Sequence, residues 1–268
     1  SLQTAGGFNA TTVSRDGDLL TIDILDAVGW PVSPILDVRA NYSGNFTAAL
    51  AAANAQSGGG VIYLSAGDDI QMGDRQTIVL NSNVVLRGDG VNVSRLVWAA
   101  NSGLLTGPLI SSTNGPVLIE NMGFEVTSAY NKGFLSLAGG AGSVIRNISA
   151  QFNTLQPMGN PLYIPSDDVT IIDSYFYVYG NCSTVAGYPL NYMLHSFNAN
   201  YLVLKAVSWD TNCPGYAVLG GSYFVFEGNT FNSYAGPAEF SVVAGSGFNT
   251  LGYTTRRYVI CSVAFGVW

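Results

Sequence analysis

From residue 116 onward the chain repeats itself, and an internal repeat constrains a fold more tightly than local propensity does. Five segments superimpose, at 117–124, 144–150, 169–176, 202–209 and 224–231. Their closing residues, Phe124, Ala150, Phe176, Trp209 and Phe231, are 26, 26, 33 and 22 residues apart. Each segment is a short apolar run closed by polar or small residues, the pattern of a strand ending in a turn. Strands repeating at that period predict a β-helix in which each coil stacks on the one before it.

Stacking gives the aligned columns physical meaning, because equivalent side chains on neighbouring parallel strands lie about 4.8 Å apart. Phe124, Phe176, Trp209 and Phe231 are expected to form an interior aromatic stack. Asn121, Asn147 and Asp173 share a column at a turn, where stacked amides can bond successive backbones. The column beside it runs Glu120, Arg146, Ile172, Lys205, Glu227. Glu120 is expected to face Arg146, and Lys205 to face Glu227, as exposed pairs worth about 0 to 1 kcal/mol each.

Ahead of the repeats, residues 45–90 read as a helix, a glycine break and three strands. Phe46, Ala49, Leu50 and Ala53 fall on one helical stripe, with Asn45 as N-cap and Gly58 as the stop. Strands follow at Val61-Ile62-Tyr63-Leu64, Thr77-Ile78-Val79-Leu80 and Val84-Val85-Leu86. The alanine-rich helix, then Gly-Gly-Gly-Val-Ile-Tyr-Leu-Ser-Ala-Gly and Asn-Val-Val-Leu-Arg-Gly-Asp-Gly, resembles the start of pectin-lyase-like right-handed parallel β-helices. In that family a helix caps the first coil, and Ser65 stands where its Pro-Ala-Gly element has proline. The resemblance implies an all-β solenoid with a short N-terminal capping helix and asparagine ladders. For activity it is permissive, because polygalacturonases, pectate lyases, glucanases, tailspikes and non-catalytic adhesins share the fold. Residues 1–44 read as an N-terminal extension packed on the solenoid, with 19–25 and Trp30-Pro31-Val32 as strand and loop along its outside; 45–268 form the β-helix domain.

Composition narrows the setting. Charged residues make up 10% of the chain and the net charge is −7, which argues against nucleic acid or anionic membranes as partners. No run of eighteen apolar residues is present, so no membrane span is expected. A start at Ser1 without an apolar leader fits a mature secreted protein or an excised piece.

No catalytic set is recognisable. The resemblance would supply either acidic calcium ligands with a catalytic arginine, or an aspartate triplet with His-Gly and Arg-Ile-Lys, and neither occurs. Asp167-Asp168 resembles the aspartate pair alone and reads as a turn before a strand. Glycosidase carboxyls stand about 5 to 9.5 Å apart. Among the acids in the aligned columns, Glu120, Glu125, Asp173, Asp210 and Glu227, no two share a column at that separation; Glu125 and Asp210 share one but lie three coils apart, roughly 14 Å. The single histidine, His195, is placed on a long connection without an orienting carboxylate. With one histidine and no paired acidic motif, neither metal nor cofactor is expected. Tyr175, Tyr177, Tyr179, Tyr188 and Tyr192 crowd one stretch; exposed, they would stack on sugar rings, and otherwise they pack inward or cover loops.

Six N-glycosylation sequons occur. Asn147 belongs to the ladder column and is expected to be inaccessible, leaving Asn9, Asn41, Asn45, Asn92 and Asn181 as acceptors for covalent N-glycans. Cys182 and Cys213 fall on the same edge of adjacent coils and are expected to form a disulfide, implying an oxidising compartment; Cys261 is left over. The apolar tail 256–268 lacks a polar cap, which a solenoid end needs. It implies a longer solenoid, a folded-back cap, or head-to-tail contact with copies of itself. Two functions remain open: a secreted, extracellular N-glycosylated structural or assembling unit, favoured here, and a polysaccharide hydrolase or lyase using Asp173, Asp210 or Glu227.

Overall fold

The computed structural model describes residues 13–16, 19–22, 30, 34–72, 76–98, 108–112, 114–127, 133–154, 161–180, 192–211, 216–233, 239–242 and 248–255. They wind as a right-handed parallel β-helix with two short helices. Parallel pairing in register generates three faces. The first runs from Ile35–Asp37 through Val61–Leu64, Val85–Gly88, the start of Leu118–Val126, the start of Val144–Thr154, Thr170–Ile172 and the end of Tyr192–Lys205. The second runs from Asp68–Met72 through Ser94–Trp98, the later parts of 118–126 and 144–154, Tyr175–Gly180, Ser208–Thr211 and the end of Tyr216–Ser233. The third joins Ile78–Leu80, Ile110–Ser112, Leu135–Ser136 and Leu162–Tyr163 to the starts of 192–205 and 216–233, then Glu239–Val242. Strand Phe248–Thr255 continues the ladder beyond 224–231. Val13–Asp16 and Leu19–Ile22 form a separate antiparallel pair.

The period-2 alternation of each strand sends one set of side chains inward. On the first face Leu36, Ile62, Leu86, Ile119, Ile145, Ile171 and Leu204 stand in one register and are all buried. The columns read from the repeats are the observed ones: Phe124, Ala150, Phe176, Trp209 and Phe231 pair in succession, as do Glu120, Arg146, Ile172, Lys205 and Glu227.

The expected continuous aromatic stack forms, among the described side chains, at its Phe176–Trp209 step, with centroids 4.5 Å apart and planes within 19°. Ala150 interrupts the column. Phe134 enters from the third face and packs edge-on against Phe124 at 4.9 Å and Phe152 at 5.3 Å. The small residue leaves the room that a ring from another face occupies.

Helix α1 (Val38–Tyr42) and helix α2 (Phe46–Asn54) close the N-terminal end. Asn45 caps α2 by accepting from the Ala48 amide at 3.1 Å. Phe46, Ala49 and Ala53 are buried in the main core and Leu50 packs beside it, so the predicted stripe is the buried one. The helix stops at Ala55 rather than Gly58. Gly59 takes the left-handed turn that follows: its φ is +78°, and a Cβ there would lie 2.1 Å from the Asn83 carbonyl oxygen.

The corner between first and second faces repeats one conformation. Asn121, Asn147, Asp173, Ala206 and Gly228 all have left-handed φ, between 47° and 62°. Asn, Asp and Gly tolerate it best. Asn147 Nδ2 donates to Asn121 Oδ1 at 2.9 Å, a ladder contact from amide to amide. Asn147 itself is exposed, contrary to the inaccessibility expected for it; what engages its amide nitrogen is the ladder bond.

Outside the first face, Val61, Val85, Leu118 and Val144 form a second buried apolar cluster, against which Trp30 and Tyr63 pack.

Candidate functional site

Three groupings of polar and aromatic side chains stand out on the solenoid. The first lies where the strand Val61–Leu64 turns toward Asp68–Met72. Asp37, Asp68 and Asp89 come from separate coils and converge on the backbone and side chain of Ser65 and its neighbours. Asp37 accepts from the Ala40 amide at 2.7 Å, capping α1, and with its other oxygen from Ser65 Oγ at 3.0 Å. The buried Asp68 accepts from the Ser65 amide at 2.9 Å and pairs with Arg39 Nε at 2.6 Å. Asp89 accepts from the Ala66 amide at 2.8 Å and from the Tyr63 hydroxyl.

Buried Asp68 Oδ1 faces Arg39 Nε in an ion pair without accepting a hydrogen bond, and the other five oxygens of these three carboxylates accept hydrogen bonds from partners within the chain. Ser65 supplies two of them, an amide hydrogen and a hydroxyl, and proline at this position would lack both. The hydrogen bond to the Asp89 carboxylate, then burial, then the negative charges of Asp89, Asp37 and Asp68, push the Tyr63 phenol up to about 12. Tyr63 thus stays neutral and cannot serve as a base at ordinary pH.

The second grouping is a charged column on the outside of the first face. Arg87, Glu120 and Arg146 are in register on three successive coils. Glu120 is 2% exposed and is held by Arg87 Nε on one oxygen and Arg146 Nε, at 2.6 Å, on the other. The Glu120–Arg146 contact is the one the aligned columns predict, but as an exposed pair; the structure corrects this to a buried carboxylate bracketed by two arginines. Arg87 falls before the repeats begin, so the aligned segments do not include it.

The third grouping covers the outside of the second face. Arg95 donates to both oxygens of Asp69, at 2.8 and 2.6 Å, and to Glu125 at 3.0 Å. These hydrogen bonds hold the Asp69 carboxyl below the usual carboxylate range and push Arg95 up. Further along, Tyr175, Tyr177 and Tyr179 project from one strand on the side opposite the buried Phe176 and Val178. Their rings lie in a near-parallel row, with centroid steps of 6.4 and 6.1 Å and interplanar angles of 20° and 7°. Tyr175 donates its hydroxyl to Asp210 Oδ2 at 2.7 Å.

Glu125, Gln151, Tyr177 and Asp210 stand in register, so the two acids of this column are three ladder steps apart. At about 4.8 Å per step that exceeds the separation of a hydrolytic pair. Asp173 occupies the left-handed corner, and Glu227 is in register with Lys205. Asp168 has φ of 57° within a bend, the turn expected of Asp167-Asp168.

His195 is not on a connection. It lies in strand Tyr192–Lys205, in register with Tyr163 and Val218, because the third face continues through 192–196. Asn41, Asn45 and Asn92 are exposed; Asn41 and Asn45 accept local amide hydrogens through Oδ1. Asn9, Asn181, Cys182, Cys213, Cys261, Tyr188 and the stretch 256–268 lie outside the described residues. Among the described residues no group of three or more His, Cys, Asp or Glu side chains could hold a metal ion, and no helix is long and apolar enough to cross a membrane.

These features define a β-solenoid in which Asp37, Asp68, Asp69, Asp89 and Glu120 are engaged by the chain's own coils. No family model, curated protein or solved structure matches the chain.

Proposed function

We propose that this chain is an extracellular, N-glycosylated parallel β-helix of the pectin-lyase-like kind that acts as a structural or assembling unit. The observation that carries the reading is the use made of its carboxylates. Asp37, Asp89 and Glu120 have both oxygens engaged by amides, hydroxyls or arginines of the chain, Asp68 accepts from the Ser65 amide and pairs with Arg39 through its other oxygen, and Asp69 is clasped by Arg95. A hydrolase needs one carboxyl protonated and another ionised, both turned toward substrate. Here acids serve as staples between coils. Exposed sequons at Asn41, Asn45 and Asn92 and the sparse surface charge support glycosylation as the source of solubility.

The test is secretion of the chain from a eukaryotic host, followed by intact mass before and after enzymatic deglycosylation, light scattering, and reducing-end and unsaturated-product assays on a polysaccharide panel. A mass shift with no turnover is expected. Turnover of any pectin or glucan would replace this reading with the enzymatic one, and an unchanged mass would remove glycosylation from it.

A further inference from the structure

We infer that Tyr175, Tyr177 and Tyr179 form a docking strip for an extended, neutral polysaccharide chain. The inference goes beyond the structural role and does not depend on glycosylation or assembly.

The strip is rigid and presented outward. Alternate residues of the same strand, Phe176 and Val178, are buried in the core, and Phe176 is stacked on Trp209. Tyr175 is tethered by its hydroxyl to Asp210 on the next coil. Tyr179 is 54% exposed. The buried alternate residues fix the strand, and aromatic rings carried on a fixed strand offer broad apolar surface to a ligand.

The ring spacing restricts how a ligand can sit. A flat group inserted between two rings needs about 3.5–4 Å of clearance on each side. Steps of 6.4 and 6.1 Å are too short for that. A ligand must therefore lie across the row, touching several rings in succession, which favours an extended chain of repeating units over a single planar molecule. The flanking residues suit hydroxyl groups: Gln151 and Asn153, both exposed, are in register with Tyr177 and Tyr179, and Asp210 is in register with Tyr177 on the other side. A pyranose chain combines apolar C–H faces for the rings with hydroxyls for those amides and that carboxylate.

Charge decides which polysaccharide. Glu125 and Asp210 lie in the column through the strip, Arg95 on this face is engaged by Asp69 and Glu125, and the chain carries a net charge of −7. An anionic polymer such as a polyuronate meets repulsion here, whereas a neutral glucan or xylan does not.

Isothermal titration of the full chain with cellohexaose, xylohexaose, polygalacturonate and a proline-rich decapeptide tests the inference, with product release measured on the same samples. Binding of at least one neutral hexasaccharide is expected, weakened about tenfold by Tyr177→Ala or Tyr179→Ala and largely retained by Tyr177→Phe. Val79→Ser, at an exposed position on the third face, should leave binding unchanged, and circular dichroism checks that each variant is folded. No binding to either neutral sugar, binding insensitive to both Tyr→Ala changes, or a preference for polygalacturonate or the proline-rich peptide would overturn it. Product release alone would instead count against the structural role and leave the strip standing.

Discussion

Arg146 Nε sits 2.6 Å from Oε2 of Glu120, directly across one step of the parallel ladder, while Arg87 holds the other oxygen from the coil before. Removing the carboxylate leaves two guanidiniums facing each other over a buried gap. Breaking a fully buried pair costs about 3–5 kcal/mol. Arg87 and Arg146 are 34% and 27% exposed, so water recovers part of that loss. Glu120→Ala is expected to lower unfolding free energy by roughly 2 kcal/mol in urea titrations, with Glu120→Gln in between. A change under about 0.5 kcal/mol would show that the column contributes no more than a surface pair does.

Gly59 and Gly44 separate two effects of adding a methyl group. Both have left-handed φ, at +78° and +82°. Beside Gly44 a Cβ meets nothing within 4 Å, whereas at Gly59 it would fall 2.1 Å from a backbone oxygen of Asn83. Gly44→Ala should cost about 1 kcal/mol, the backbone strain alone. Gly59→Ala should cost about 3 kcal/mol or more, because two coils must also move apart. Paired denaturant midpoints measure the difference; equal losses would mean the coils separate freely there.

Ala206 occupies the corner that Asn121, Asn147 and Asp173 occupy on earlier coils and Gly228 on the next, with φ of 51°. It is exposed, and nothing in its side chain offsets the strain. Ala206→Gly and Ala206→Asn are expected to raise stability by about 1 kcal/mol each, read from urea or thermal melts. A loss on both substitutions would contradict the corner geometry.

Tyr63 sets a limit in alkali. Its phenol, raised to about 12 mainly by the hydrogen bond to Asp89, is near 10 in an unfolded chain. A folded-state value above the unfolded one means that the contribution is complete below about pH 10 and is lost as pH rises through about 12. Stability should therefore fall between those values, and Tyr63→Phe should flatten the fall. Urea titrations at stepped alkaline pH, with 13C-tyrosine NMR following the late-titrating ring, check the sign; a steeper fall in the variant would reverse it.

The repeats make much of the solenoid legible from residue order. In a parallel ladder every coil meets the same packing demand at the same position, so the inward column through Phe124 and Phe176 and the outward column through Glu120 and Arg146 appear as period-matched residue types. The capping helix is legible too, from Asn45 and its apolar stripe. Before residue 116 the coils keep the same spacing, with Leu36, Ile62, Leu86 and Ile119 spaced by 26, 24 and 33 residues, but their residue types do not match the later columns, so the strands Asp68–Met72 and Ser94–Trp98, the short helix α1 and the partner Arg87 carry no comparable signal. His195 reads as a loop residue because the third-face strand preceding each first-face segment is short and varies in composition.

By itself the sequence determined the all-β solenoid, the phase of its inward residues and the turn column at Asn121 and Asn147, because each follows from local alternation or from the repeat that aligns the coils. Tertiary structure alone decided which polar groups meet. Asp37, Asp68 and Asp89 lie on different coils, Glu120 is buried only once Arg87 and Arg146 close over it, and the tyrosine row is tethered at Tyr175 by Asp210 of the next coil. Those contacts depend on how far one coil is turned and shifted against the next, and that offset comes from the packing of the whole stack.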